Sequence, residues 1–291
     1  MAAFCEHDLH NYRHKYSVAI IDVFSGPSFL WAETIALLLH KTNKPFILVL
    51  HGGNLPRFAL RWPSRVRRLL NSAARVITPS EYLLVQMSSY CKELYLLPNP
   101  LDLDLYDFKV RTSASPSVVW LRAFHETYNP ALAIEAISIL KGEFPYITIQ
   151  MAGRDKGDGS LQRTRERGKA LGLDIHNGIS GGIPKSAVPE FLNKGDIFLN
   201  TTNVDNTPIS VLEAMASGLC VVSTKVGGIP YLLEDGVDAL LVPPNDPKAV
   251  ANAIRRIVRD PDLAATLSRN ARKKVETFDW SVILPKWEGI L

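Results

Sequence analysis

The strongest constraint on this chain is an alternation. Short apolar runs recur from residue 18 to residue 242, with amphipathic helical periodicity between them. A short run that is apolar throughout and followed by a helix is the pattern of a parallel βαβ sheet, because a strand covered by helices on both sides has no polar face. Runs at 18–23, 46–50, 75–78 and 94–97 predict four strands in the first part of the chain. Runs at 118–121, 146–151, 174–179, 196–200, 220–223 and 239–242 predict six more. Residues 107–117, polar and punctuated by serines and Pro116, are expected to link the two sets. Six strands with helices complete a doubly wound domain, whereas four are few for the same architecture.

Composition bounds the rest. With 291 residues, 46% hydrophobic and 21% charged, the chain can bury two cores without metal or disulfide staples, and disordered, collagenous and coiled-coil classes are excluded. Cys5, Cys91 and Cys220 are odd in number and far apart, which argues against a disulfide framework or a zinc site and for a reducing compartment. His7, His10 and His14 lack a fourth ligand and predict no metal centre. The first residues contain no apolar signal core, and the longest apolar stretch, 29–39, is interrupted by Glu33 and too short to span a bilayer. A cytoplasmic protein, peripheral at most to a membrane, is expected.

The net charge of +4 conceals a local excess. Arg57, Arg61, Arg65, Arg67, Arg68 and Arg75 follow one another with no intervening acid, so the remainder of the chain is slightly acidic. A nucleic-acid binder spreads basic residues over much of a domain. One basic segment fits a local anionic partner such as a lipid headgroup, or else a solvated helix face.

The most informative stretch is Asp205-Asn206-Thr207-Pro208-Ile209-Ser210-Val211-Leu212-Glu213-Ala214-Met215-Ala216-Ser217-Gly218. Thr207 is a good N-cap, Pro208 suits a first helical position and Gly218 suits the position past the end, so a short helix is predicted from about Pro208. It follows the run 196–200, which puts its N-terminus at the carboxyl edge of a sheet, where free amides and the helix dipole favour an anion. Taken alone, Asp205 and Glu213 read as a capping carboxylate and a surface glutamate.

They do not stand alone. A carboxylate, seven residues, then Glu-Ala-Met-Ala-Ser-Gly, a buried strand and the turn Val226-Gly227-Gly228-Ile229-Pro230 resembles the signature of glycosyltransferase family four, retaining nucleotide-sugar transferases with two Rossmann-like domains (GT-B). Further matches keep the family's order: His51-Gly52-Gly53, Val76-Ile77-Thr78-Pro79-Ser80, Asn99-Pro100, Arg122 after a strand, Met151-Ala152-Gly153, Gly182-Ile183-Pro184, Asp235-Gly236, 241–247 and Phe278-Asp279-Trp280.

The resemblance implies an acceptor domain at 1–110, a nucleotide-sugar-binding domain at 111–277 and a C-terminal helix at 278–291 that packs back toward the first domain. It implies that Asp205 bonds hydroxyls of the transferred sugar, Glu213 the ribose hydroxyls and Arg122 the diphosphate. Tyr128, Asn206, Thr207, Ile209, Ser210, Gly227 and Gly228 complete the donor site, the glycines by letting backbone approach the nucleotide. His51 would orient donor sugar and acceptor. The expected substrate is a UDP- or GDP-linked sugar, with no cofactor and no metal. The acceptor is a glycan or lipid-linked molecule of polysaccharide biosynthesis.

Three departures bear on activity. The family's second phosphate cation, a lysine, falls here on Thr127 or Tyr128. Pro208 stands where the family commonly has glycine. No residues before Tyr16 match the family's opening strand and glycine-rich loop, so the first domain is expected to be truncated. A non-catalytic relative that binds a nucleotide sugar without turnover is therefore the alternative. A hydrolase is excluded: Gly178-Ile179-Ser180-Gly181-Gly182 spells a nucleophile elbow, but the last histidine, His176, precedes the serine.

Overall fold

The computed structural model describes residues 16–173 and 178–291, so Cys5, His7, His10, His14 and most of the expected strand 174–179 lie outside the described residues. The elements in chain order are β1 Ala19–Val23, α1 Pro27–Lys41, β2 Phe46–Leu50, α2 Leu55–Arg61, α3 Pro63–Leu70, β3 Arg75–Thr78, α4 Glu81–Met87 and β4 Tyr95–Leu96. There follow β5 Ser117–Leu121, α5 Pro130–Leu140, β6 Thr148–Ala152, α6 Ser160–Ala170, β7 Ile179–Ser180, α7 Val188–Leu192, β8 Ile197–Asn200 and α8 Ile209–Ala216. The chain ends with β9 Cys220–Thr224, α9 Ile229–Leu232, β10 Ala239–Val242, α10 Pro247–Arg259, α11 Pro261–Val275 and α12 Trp280–Glu288.

Punctuation sets many of these bounds. Proline stands in the first turn of α1, α3, α5, α10 and α11, where its missing N–H costs no intrahelical bond. Ser80, Asp246 and Asp260 cap α4, α10 and α11 by accepting from the amides of Leu83, Ala249 and Leu263. The expected strand start at Tyr146 is displaced: Tyr146 is 91% exposed and pairing begins at Thr148.

Two compact units result, residues 1–98 with 286–291 and residues 99–285. The first holds a four-stranded parallel sheet in the order β1-β2-β3-β4. Every residue of β2 is buried, as its apolar run requires. Val23, Phe29, Leu48, Leu55, Leu70 and Leu83 centre its core. The second unit holds a six-stranded sheet in the order β10-β9-β8-β5-β6-β7, again parallel throughout. One face packs on α5, α10 and α11 through residues such as Trp120, Ile137 and Ile254, and the other on α7 and α8 through Phe191, Phe198 and Leu212.

The compact units divide between Pro98 and Asn99 rather than at 110. Leu101, Leu103 and Tyr106 are buried in the second unit's core beside Leu212 and Met215, so 99–106 is held there by its own apolar side chains. Nor is 107–117 a loose tether. Arg111 is 3% exposed; it donates to Asp196 Oδ1 at 3.0 Å and to the carbonyls of Lys109, Gly195 and Ser217 at 2.6 to 3.2 Å. A polar composition reads as a linker because sequence does not reveal where a guanidinium's donors end.

Candidate active site

β8 and β5 are neighbours in the second sheet, and the chain leaves them in opposite directions, β5 toward β6 and β8 toward β9. Where strand order reverses in an open α/β sheet, the loops diverge and leave a crevice at the carboxyl edge. Two loops meet there, 122–129 after β5 and 201–208 after β8. Trp120 Nε1 donates to Thr201 Oγ1 at 2.9 Å, Thr201 Oγ1 donates to the Tyr128 carbonyl at 2.8 Å, and the Asn203 amide donates to the Thr127 carbonyl at 2.7 Å. These bonds set the two loops in one register.

That register brings Arg122 onto Asp205. Arg122 Nη2 donates to Asp205 Oδ2 at 2.7 Å, and both side chains are nearly buried. The guanidinium also lies 4.1 Å from the centre of the Tyr128 ring, a cation–π contact that holds its plane. Burial pushes the Asp205 carboxyl above its ordinary value, while Arg122 and the Asn206 amide, 3.0 Å from Oδ1, pull it back.

Three glycines let the backbones come this close. A Cβ on Gly153 would sit 1.7 Å from the Arg122 carbonyl oxygen. A Cβ on Gly227 would sit 2.2 Å from the Asp205 carbonyl oxygen, and one on Gly228 2.2 Å from that of Asn206. The Gly228 amide donates to the Asp205 carbonyl at 3.1 Å. The glycine pair thus fixes the Asp205 loop, a role that its resemblance to a nucleotide contact did not disclose.

α8 begins at Ile209, one residue later than expected. Pro208 precedes the helix in an extended conformation, and no side chain, Thr207 included, caps it. Gly218 ends it as expected, at φ +76° past the last turn. One turn into α8, Glu213 is buried rather than a surface residue, with 4% of its side chain exposed. Two donors converge on its Oε1: the Tyr106 hydroxyl at 2.8 Å and the Lys185 ammonium. Burial, then the adjacent Glu213 charge, push the Tyr106 hydroxyl well above its ordinary value, so it stays a proton donor.

Two buried donors at this edge, Arg122 Nε and Ser210 Oγ in the first turn of α8, have no hydrogen-bond partner among the described residues. A buried donor left unpaired costs about 1–3 kcal/mol and calls for an explanation. A ligand accepting from them supplies one.

In the first unit, His51 follows β2, its amide donating to the Val23 carbonyl at 2.8 Å. Its Nε2 lies 3.1 Å from Asp22 Oδ1 and its ring stacks on Phe24 at 5.2 Å. The hydrogen bond from His51 holds the Asp22 carboxyl below its ordinary value.

The sequence model for glycosyl transferases group 1 matches residues 107–274, which takes in both crevice loops, Glu213 and the glycine pair. The chain belongs to that family. The model for glycosyltransferase family 4 matches residues 7–105. Among curated relatives, a D-inositol 3-phosphate glycosyltransferase of Saccharomonospora viridis is 30% identical over 46% of this chain and 32% of its own length. The amylovoran biosynthesis glycosyltransferase AmsK of Erwinia amylovora is 28% identical over 68% of this chain and 50% of its own. The chain thus spans a third to a half of these relatives. Among solved structures, Anabaena HepE in complex with UDP and glucose superposes with a TM-score of 0.81 at 18% identity, over 98% of this chain and 80% of that one. Sucrose-phosphate synthase of Thermosynechococcus elongatus gives 0.80 at 20% identity, over 98% and 76%. These likenesses show the fold, two parallel-sheet α/β domains of the GT-B kind.

Within this group 1 chain, the structure gathers Arg122, Tyr128, Asp205, Asn206, Thr207, Ile209, Ser210, Glu213, Gly227 and Gly228 on three adjoining loops and one helix at the same sheet edge. Tyr128, one of the two residues expected where the family has a lysine, stacks on Arg122. Sequence reasoning missed Tyr106 and Lys185. Tyr106 lay in what read as the first domain, and its signal was only a lone aromatic before a polar stretch. Lys185 follows the Gly182-Ile183-Pro184 match directly, but a lysine after a proline is ordinary until a buried carboxylate is found beneath it.

Proposed function

We propose that the second unit binds a nucleoside diphosphate sugar, UDP- or GDP-linked, and that the chain is a metal-independent, retaining hexosyltransferase acting on a glycan or lipid-linked acceptor in polysaccharide biosynthesis. The observation that carries this reading is the switch-point crevice with Arg122 locked on Asp205, an unpaired Arg122 Nε–H and a buried Glu213 one helical turn along. A relative named for amylovoran biosynthesis and a fold neighbour holding UDP and glucose support it.

As the bond from sugar carbon to phosphate oxygen breaks, the sugar becomes oxocarbenium-like and the diphosphate gains negative charge. Arg122 and the first amides of α8 are fixed before reaction and stabilise that charge without reorganising. Asp205 accepts sugar hydroxyls, and Glu213, with lone pairs left on Oε2, accepts the ribose hydroxyls. The acceptor hydroxyl gives its proton to the departing phosphate oxygen, on the face where the new bond forms, which retains configuration.

Thermal melts of the chain with UDP, GDP and their sugars test the reading. A ligand at about a hundred times its Kd stabilises by about 2.7 kcal/mol, roughly 5–11 °C for a unit of this size. Glu213→Ala should weaken nucleotide binding, and Arg122→Ala should chiefly lower turnover. If no nucleotide raises the melting temperature, the reading fails. Stabilisation without transfer or hydrolysis of the sugar favours the non-catalytic alternative.

The proposal extends to a cytoplasmic location at an anionic membrane. Arg57, Arg61, Arg67 and Arg68 are exposed on α2 and α3, beside exposed Leu60 and Trp62, and Trp31 on α1 is 67% exposed. Such a mixture of basic and amphipathic aromatic side chains suits a headgroup interface. Arg65 is not part of it: its Nε and Nη2 both donate to the Glu33 carboxylate on α1. No helix among the described residues is long and apolar enough to cross a membrane. Each basic residue near an anionic surface contributes about 1 kcal/mol. Arg57, Arg61 and Arg68 all changed to Glu should therefore reduce partitioning onto phosphatidylglycerol vesicles by about a hundredfold or more. Unchanged partitioning refutes the membrane contact.

A further inference from the structure

We infer that Lys185 is the second phosphate-binding cation of this site: in the free protein its ammonium rests on Glu213, and it moves onto the diphosphate when ribose hydroxyls take its place. The inference rests on the donor-site reading above.

Glu213 is sealed, with 4% of its side chain exposed, and its two bonded donors share one oxygen. The donors differ in freedom. Tyr106 is 4% exposed and packed in the core with Leu212 and Val211. The Lys185 side chain is 61% exposed and opens a short 3₁₀ turn, Lys185–Ala187. A ligand reaching Glu213 therefore displaces the lysine, not the tyrosine.

The displaced ammonium has a place to go. Arg122 is paired with Asp205 and Lys185 with Glu213, so the four charges cancel before any ligand arrives. A diphosphate brings at least two negative charges, which Arg122 alone does not balance while it stays on Asp205. Ribose hydroxyls are neutral donors, and their arrival on Glu213 releases the Lys185 ammonium from the one hydrogen bond it makes among the described residues. Glu213 stands four residues from Ile209, the first residue of α8, so the step from carboxylate to helix N-terminus is about 6 Å along the axis. Rotation about a four-carbon stem covers that distance. Tyr128 stacks on Arg122, and the loop 122–129 after β5 carries no lysine or second arginine beside it.

The exchange predicts opposite signs for two ligands. Isothermal titration of the full chain with UDP and with uridine, or GDP and guanosine if those bind, should show Lys185→Gln losing about tenfold to a hundredfold in diphosphate affinity, the scale of one charge-assisted bond. The same variant should bind the nucleoside as tightly as the wild type or more so, because a competitor for Glu213 is gone. Lys185→Arg should recover most of the diphosphate affinity. If Lys185→Gln weakens both ligands alike, the lysine is a structural support and the inference falls. It also falls if the wild type binds the diphosphate and Lys185→Gln binds it equally well. A wild type that binds no nucleotide removes the donor-site reading, and this inference with it.

Discussion

Replacing Gly228 by alanine isolates one physical cause. Gly228 has φ −81° and ψ −9°, a conformation open to any residue, so glycine is required there only by space. An added Cβ would meet the Asn206 carbonyl oxygen at 2.2 Å, its carbonyl carbon at 2.8 Å and its Cα at 3.0 Å. Ordinary contact begins near 3.4 Å, so the backbone of the 201–208 loop has to retreat by about an ångström, and overpacking on this scale costs about 1–3 kcal/mol. The second unit spans residues 99–285, a size for which each kcal/mol shifts the melting point by about 2–4 °C. Gly228→Ala should therefore melt roughly 2–12 °C below the wild type by calorimetry. The displaced loop carries Asp205 away from Arg122, and an error near 1 Å in a positioned group can cost about a hundredfold in rate. Gly142→Ala is the control, since no atom beyond its chain neighbours lies within 4 Å of its Cβ position, and it should melt within about 2 °C of the wild type. If Gly228→Ala also melts within 2 °C and binds nucleotide normally, the close approach of the two loops is not what the glycine serves.

Two further perturbations probe the scaffold. Arg111→Met leaves Asp196 without its guanidinium and takes one donor from each of the Lys109, Gly195 and Ser217 carbonyls; breaking such a buried pair costs about 3–5 kcal/mol. That is a melting-point loss of roughly 6–20 °C, and a loss under 2 °C would restore the linker reading of 107–117. Asp158 joins the loop after β6 to the loop after β5. Burial opposes its ionisation, but bonds from Ser160 Oγ and from the Ser160 and Glu126 amides hold its carboxyl down to about 2, against an ordinary 3.8. A depressed carboxyl stabilises the fold above its ordinary value and loses that contribution as pH falls through the folded value. The melting-point gap between wild type and Asp158→Asn should be constant from about pH 5 to 7 and close between about pH 4 and 2; a gap unchanged at acid pH refutes the assignment.

The alternation of apolar runs and helical periodicity was enough to predict both sheets, because a strand buried on two faces must be apolar along its whole length whatever lies beside it. Caps and prolines set helix starts for a similarly local reason. The order of motifs from His51 to Trp280 pointed to the family, and residues 205–218 to the site. Where local rules met a tertiary demand they failed: Pro208 lies outside the helix it was expected to begin, and Tyr146 stands in solvent.

What sequence could not contain was adjacency. That β5 lies against β8 follows from how the whole sheet winds, and only that pairing puts Arg122 on Asp205, 83 residues away. The same holds for the Tyr106 hydroxyl and the Lys185 ammonium on Glu213. Their meaning lies in a buried carboxylate with two unequal donors, and burial is a property of what surrounds a residue. Sequence by itself determined that this chain builds parallel α/β layers with a helix N-terminus at a sheet edge. The tertiary structure alone decided which charges meet there, because pairing energies act through space and the chain's order does not measure that distance.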